Sequence, residues 1–440
     1  MPEFKKHLIP LLLLFIPLYP KFPLLGLSET FVAIRLEDIL VAAVVLIYAV
    51  GVARSKFRKL NDPLVRSILL FWFIGFVASF SGIFLTKTAG LNLGILHAVR
   101  RVEYMSLFLI AYDWLSNTQQ LRYYIRTLLL VGTLVAVYGL GQQFFHFPVI
   151  STTNSEFAKG LALTLGEGAR INSTFAGHYD LAAFCLLPLL LIIALLPISR
   201  NRGLLLVSGG LIYWAMLLSA SRITFASFII SSSLLVILIR KKAWLFPLMI
   251  VSLMGFMLSP QLRGRYLDLV TNHLKITMAA PVSAQMSETV VVATPESKAV
   301  DQIPDALKEP VVAEDRSFNI RIQAEWPRAI RAFLKNPLVG SGYSSIGLAV
   351  DNEYLRILAE TGILGLSAFF LIVLRYFKTT IPVILHYRQD LNYAFIIAAF
   401  CFLISLLLGG LFIDVFAASK IAMVLWSIIG LSEKAKSFIK

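Results

Sequence analysis

Charge is scarce in this chain. Only 15% of its 440 residues are Asp, Glu, Lys or Arg, where soluble domains carry roughly a quarter. Cysteine is scarcer still. Cys185 and Cys401 both lie inside apolar runs without metal-ligand spacing, and read as small core residues rather than a disulfide. The sequence has no His-Glu-x-x-His, no zinc-type Cys pair, no GxSxG, no P-loop and no GxGxxG. Hydrolysis by those routes and nucleotide-driven work therefore have no support. The net charge of +15 is not gathered into a soluble basic domain or an aromatic RNA-binding motif, so nucleic acid is not an expected partner. No internal repeat is visible. Alternating strands are missing too, which excludes a β-barrel.

What is present is apolar. Hydrophobic residues make up 58% of the chain and the mean hydropathy is +0.78. Runs of membrane-spanning length recur from end to end. The expected fold class is an all-α polytopic membrane protein of about 12 transmembrane helices. The expected spans are approximately 8–25, 36–53, 66–85, 97–115, 124–144, 178–197, 203–219, 223–239, 243–259, 353–376, 392–412 and 415–432. The first run follows Lys5 and Lys6, but it lacks a small-residue cleavage site and is interrupted by Pro10, Pro17, Pro20 and Pro23. It reads as a retained span rather than a signal peptide. Basic short loops, such as those with Arg54, Lys56, Arg58 and Lys59 or with Arg240, Lys241 and Lys242, are expected to be cytoplasmic. Both termini then share the cytoplasmic side of the inner or plasma membrane. The loop around 154–177 and the long segment 259–352 face outward. The chain thus divides into 1–259, an external loop 260–352 between the ninth and tenth helices, and 353–440.

The long loop changes character along its length. Residues 278–314, rich in Ala, Val, Pro, Glu and Ser, are expected to be flexible. Over 315–335, Phe318, Ile322, Trp326, Ile330 and Phe333 recur at helical spacing with arginines between them. That pattern reads as an amphipathic helix on the outer membrane face, broken or bent near Pro327.

Seven outward arginines run against the positive-inside trend: Arg100, Arg101, Arg170, Arg222, Arg316, Arg321 and Arg356. Guanidinium offers a planar fork of donors suited to phosphate, so several around one cavity would suit a diphosphate. Each also has a plain structural reading. Arg170 could anchor at the interface, and Arg100 and Arg101 could pair with Glu103. Arg316 and Arg321 could bind lipid head groups, and Arg356 could pair locally with Asn352 or Glu353. Arg222, in a very short connection, needs a partner so near hydrocarbon. His178 reads as an interfacial histidine or a ligand. Asp414 and Lys420 are expected to pair with other charges. The remaining candidate chemistry is the cluster Asp351, Asn352, Glu353 and Glu360.

Three blocks then carry a resemblance. They are Arg170-Ile-Asn-Ser-Thr-Phe-Ala-Gly-His178, Ser219-Ala-Ser-Arg222, and the run Asn336-Pro-Leu-Val-Gly-Ser-Gly-Tyr343 … Asp351-Asn-Glu-Tyr-Leu355 … Glu360-Thr-Gly-Ile-Leu-Gly-Leu366. The chain resembles the O-antigen ligase and polysaccharide polymerase superfamily over nearly its whole length. The resemblance implies an inverting glycosyltransferase without metal or cofactor. Its donor would be a polyprenyl-diphosphate-linked glycan at the outer leaflet, and its acceptor a glycan, lipid or protein. It implies Arg170, Arg222 and Arg321 as diphosphate ligands; the reading of the residues themselves adds Arg316, Arg356, Arg100, Arg101, His178 and Glu360 as candidate substrate contacts. The residue before Asn352 would be the general base. Ligases carry His there and this chain carries Asp351, which favours a polymerase or another transferase at least as much as a lipid A core ligase. A transporter or flippase of a lipid-linked sugar is the alternative, but such proteins show repeated halves and polar residues at mid-membrane. Deleting 283–309 is expected to leave measurable transfer in a purified, folded protein; complete loss would show that the segment is more than an insertion.

Overall fold

A computed structural model describes residues 5–26, 33–54, 62–150, 164–166, 169–267, 321–347 and 350–439. Arg316 and the 278–314 stretch lie outside the described residues. The described part is helical apart from one minimal antiparallel pairing of Leu25–Gly26 with Ala33–Ile34. A helix stands at each of the twelve expected spans. Five are long and apolar enough to cross a membrane: Pro63–Leu85, Thr118–Phe144, His178–Leu195, Glu353–Leu385 and Leu391–Gly409. A sixth is possible if Lys242–Leu258 and Pro260–Leu267, bent by 88°, form one broken span. The first helix, Lys5–Leu18, is only 14 residues long, about 21 Å at ~1.5 Å per residue. It stops well short of the expected residue 25, because Pro20 and Pro23 cannot continue the ladder. Of the 315–335 stretch, residues 315–320 lie outside the described residues; beyond them a π-turn at Arg321–Glu325 leads into the helix Trp326–Lys335, with Pro327 in its first turn.

One apolar core runs through the bundle. The Ser419–Ala435 helix lies along Leu91–Trp114, where a Cβ on Gly430 would meet the Phe108 carbonyl oxygen at 2.3 Å. Leu391–Gly409 packs between His178–Leu195 and Arg222–Leu238. Glu353–Leu385 packs on Pro63–Phe80 and Trp326–Lys335.

The Gly-punctuated run has a specific architectural use. Gly340 (φ +81°) and Gly362 (φ +67°) both adopt the left-handed conformation that side chains disfavour. Their main chains interlock. Ser341 N donates to the Ala359 oxygen at 2.9 Å and Gly342 N to that of Glu360 at 3.0 Å, while Ile363 N donates to the Pro337 oxygen at 2.9 Å. This breaks the Glu353–Leu385 helix at Gly362 and welds the 337–342 turn into the gap. A Cβ on Gly362 would lie 2.3 Å from the Leu338 oxygen. Gly362→Ala is expected to cost about 3 kcal/mol or more, read as a fall in the thermal midpoint of the purified protein; an unchanged midpoint would refute the interlock.

Candidate active site

Two short connections build the cationic side of the site. After Leu218 the chain turns through Ala220, whose φ of +49° is left-handed, and Ser221 caps the Arg222–Leu238 helix. Arg222 is thus the first helical residue. The Pro260–Leu267 helix folds back against this turn. Arg222 Nη1 donates to the Arg265 carbonyl at 2.7 Å, Arg265 Nη1 donates to the Ala220 carbonyl at 2.9 Å, and Tyr266 Oη donates to the Arg222 carbonyl at 2.9 Å. These reciprocal bonds set the two arginines side by side.

The 169–178 segment brings a third. Gln142 clamps it, accepting from Ser173 N at 2.8 Å and donating to the Ser173 carbonyl at 2.9 Å. Lys420 donates to the Thr174 carbonyl at 2.8 Å and also to the carbonyls of Pro17 and Tyr19. The expected pairing of Lys420 with another charge gives way to main-chain acceptors. With the segment fixed, Arg170 Nη1 lies 2.7 Å from His178 Nε2.

Tyr179 is where the cations meet. Arg170, Arg265 and Arg321 all lie close enough to its phenol to act on its charge. Arg321, only 6% exposed, places both Nε (2.9 Å) and Nη2 (2.7 Å) on Oδ2 of Asp351. Burial, with Arg265 and Arg222 nearby, holds Arg170 below its ordinary pKa. Among the described residues, the guanidinium groups of Arg170, Arg222, Arg265 and Arg321 outnumber the carboxylates Asp351 and Glu325 beside them, an arrangement that favours an added anion.

Asp351 is held from behind. It too sits in the left-handed region, at φ +51°. The Asp414 carboxylate accepts from three successive main-chain amides, those of Val350 (3.2 Å), Asp351 (3.3 Å) and Asn352 (3.2 Å), and pairs with Arg356 Nη2 at 2.8 Å. Burial would raise the Asp414 pKa, but Arg356 and the amides override it and hold the group below the ordinary carboxylate value. Asp351 moves the other way. Burial and the Asp414 charge raise its pKa against the opposing pull of Arg321 and Arg356. Its side chain remains 31% exposed, so the carboxylate is reachable.

The other expected ligands have partners elsewhere. Asn352 caps the Glu353–Leu385 helix, accepting from Leu355 N at 3.0 Å and donating to the Leu411 carbonyl at 3.0 Å. It supports Asp351 and does not itself face the cations. Arg356 pairs with Asp414 and, more loosely at 3.6 Å, with Glu360 rather than with Asn352 or Glu353. Glu360 is buried and also accepts from Ser344 N at 3.2 Å. Arg100 pairs with Asp38 at 3.4 Å and the Ala33 carbonyl at 2.9 Å in place of Glu103. Arg101 donates to the Phe416 carbonyl at 2.6 Å and lies over the Tyr343 ring. Sequence reasoning missed Arg265 and Tyr179. Arg265 follows Pro260, where the expected span had already ended, and Tyr179 stood beside the more conspicuous His178.

Asp414→Ala is expected to destabilise the protein by about 3–5 kcal/mol, because it strands the buried Arg356 and frees three amides. A denaturation midpoint equal to that of the native protein would show that the loop holds its shape without Asp414.

No curated protein matched the chain. Residues 187–370 match the Wzy_C family model, described as O-antigen ligase. That stretch contains Arg222, Arg265, Arg321, Asp351 and Asp414's partner Arg356, while Arg170, His178 and Tyr179 lie just before it. Over this central segment the chain is similar to the O-antigen ligase family.

Proposed function

We propose that this end of the bundle transfers or polymerises glycan from a polyprenyl-diphosphate carrier, in the assembly of surface polysaccharide. The observation that carries the reading is the convergence of Arg170, Arg265 and Arg321 on Tyr179, with Arg222 locked to Arg265 and with Asp351 alongside. In this reading the four guanidinium groups hold the diphosphate. Asp351 accepts the proton of an acceptor hydroxyl as its oxygen attacks the anomeric carbon from the face opposite the carrier. The bond from that carbon to the phosphate oxygen breaks, and its electron pair leaves on the diphosphate, where the arginines stabilise the growing charge. Configuration inverts. The raised pKa of Asp351 fits a base, since a more basic carboxylate takes a proton more readily. The outward orientation of the site rests on the charge of the short loops. His178, bonded to Arg170, orients that guanidinium.

The test is a reconstituted assay with purified protein, a polyprenyl-diphosphate oligosaccharide and no nucleotide. A ladder of longer lipid-linked glycans would identify a polymerase, and carrier release only with an added lipid or protein acceptor would identify a ligase. Movement of the lipid across the bilayer without transfer would replace the reading with a transporter. Asp351→Ala and Arg222→Ala are each expected to lower transfer by at least ~100-fold in folded, inserted protein; native rates in both would refute the site. The base must be deprotonated to act. Activity is therefore expected to fall as pH drops through the Asp351 pKa, at a value above that of an ordinary aspartate.

A further inference from the structure

Arg321 poses a difficulty for the reading above, and resolving it points to how the site is controlled. A general base should have its carboxylate available. Yet Asp351 Oδ2 takes two donors from Arg321, at 2.9 and 2.7 Å. Arg321 in turn is one of the cations that converge on Tyr179. The same guanidinium thus has two calls on it, the internal carboxylate and whatever anion enters the cationic region. A diphosphate carries more charge than an aspartate and accepts the guanidinium fork in two places. Among the described residues, Arg170 is joined there to a histidine and Arg265 to a main-chain carbonyl, with a phenol nearby, and neither is hydrogen-bonded to a carboxylate.

We propose that Asp351 and the carrier diphosphate compete for Arg321, so that donor binding itself releases the base. The proposal rests on the function given above and adds a coupling between its two substrates. In the unliganded site the aspartate is the counter-ion of Arg321. When the diphosphate takes Arg321, Asp351 is left with Asp414 and Glu325 as negative neighbours and Arg356 as the remaining cation, itself paired to Asp414. The base is thereby restored when a donor is in place. An enzyme so arranged does not activate water or acceptor in the absence of donor.

The experiment is a double-mutant cycle on full-length protein in detergent, with inorganic pyrophosphate as the probe and calorimetric titration as the readout. Asp351→Asn is expected to tighten pyrophosphate on the order of tenfold in the native background and to have no such effect with Arg321→Gln. Equal tightening in both backgrounds would mean general repulsion by the carboxylate and would overturn the proposal. Unchanged or weaker binding on Asp351→Asn would overturn it as well, and in either case pyrophosphate binding that depends on Arg222 leaves the proposed function standing. Binding that is absent in every variant would remove the anion site, and the proposed function with it. If Arg321→Gln does not fold, Arg321→Lys, which keeps the charge and loses the fork, is expected to retain only part of the coupling.

Discussion

One carboxylate accepting three consecutive amides underlies the whole site. Asp414 gathers the N–H groups of Val350, Asp351 and Asn352, and that grip selects the left-handed conformation of Asp351. A non-glycine residue there costs on the order of 1 kcal/mol, and the hydrogen bonds offset it. Asn352 can then cap the following helix. Arg356, one turn in, neutralises Asp414. The direction of the Asp351 side chain is thus decided by main-chain geometry rather than by side-chain packing, which is a stiffer way to aim it.

The second organising fact is a charge imbalance. Among the described residues, four guanidinium groups outnumber the carboxylates Asp351 and Glu325 beside them, and the bundle around them is apolar. Cations so close together repel, and the structure contains the repulsion with main-chain carbonyls, a phenol and an imidazole. Neutral acceptors satisfy donors without cancelling charge. The region keeps its appetite for an anion, which a full set of carboxylate partners would have removed.

Much of this was legible in the chain. Arg170, Arg222, Arg321 and Asp351 stood out because charge beside hydrocarbon is costly, and the structure brings these four together. The glycines of the 336–366 run were legible as a turn but not as an interlock, since residues 18 and 26 apart, such as Ser341 with Ala359 and Ile363 with Pro337, exchange hydrogen bonds only in three dimensions. Arg100, Arg101, Arg356 and Glu360 looked equally promising in one dimension. Partners of the three arginines, the Asp38 carboxylate, the Phe416 carbonyl and Asp414, lie 58 or more residues away along the chain and could not be inferred from spacing. Arg265 was hidden by a helix that bends sharply at Pro260 and returns to the bundle, where hydropathy alone sees an apolar span come to an end. The number of membrane crossings was the least legible feature, because apolarity over a dozen residues describes a buried helix as well as a spanning one.

The bend at Pro260 carries a consequence for how this protein can change. Arg222 and Arg265 are fastened to one another through carbonyl groups, which every residue possesses, and the fastening is complete by Tyr266. Substituting the side chain of an acceptor residue therefore leaves the fastening in place. Arg321 has no such insulation, because the two hydrogen bonds that fix its guanidinium go to the Asp351 side chain. Within one cluster of like residues, then, one pair is oriented by groups that no substitution removes, while another member depends on a single carboxylate that one substitution takes away.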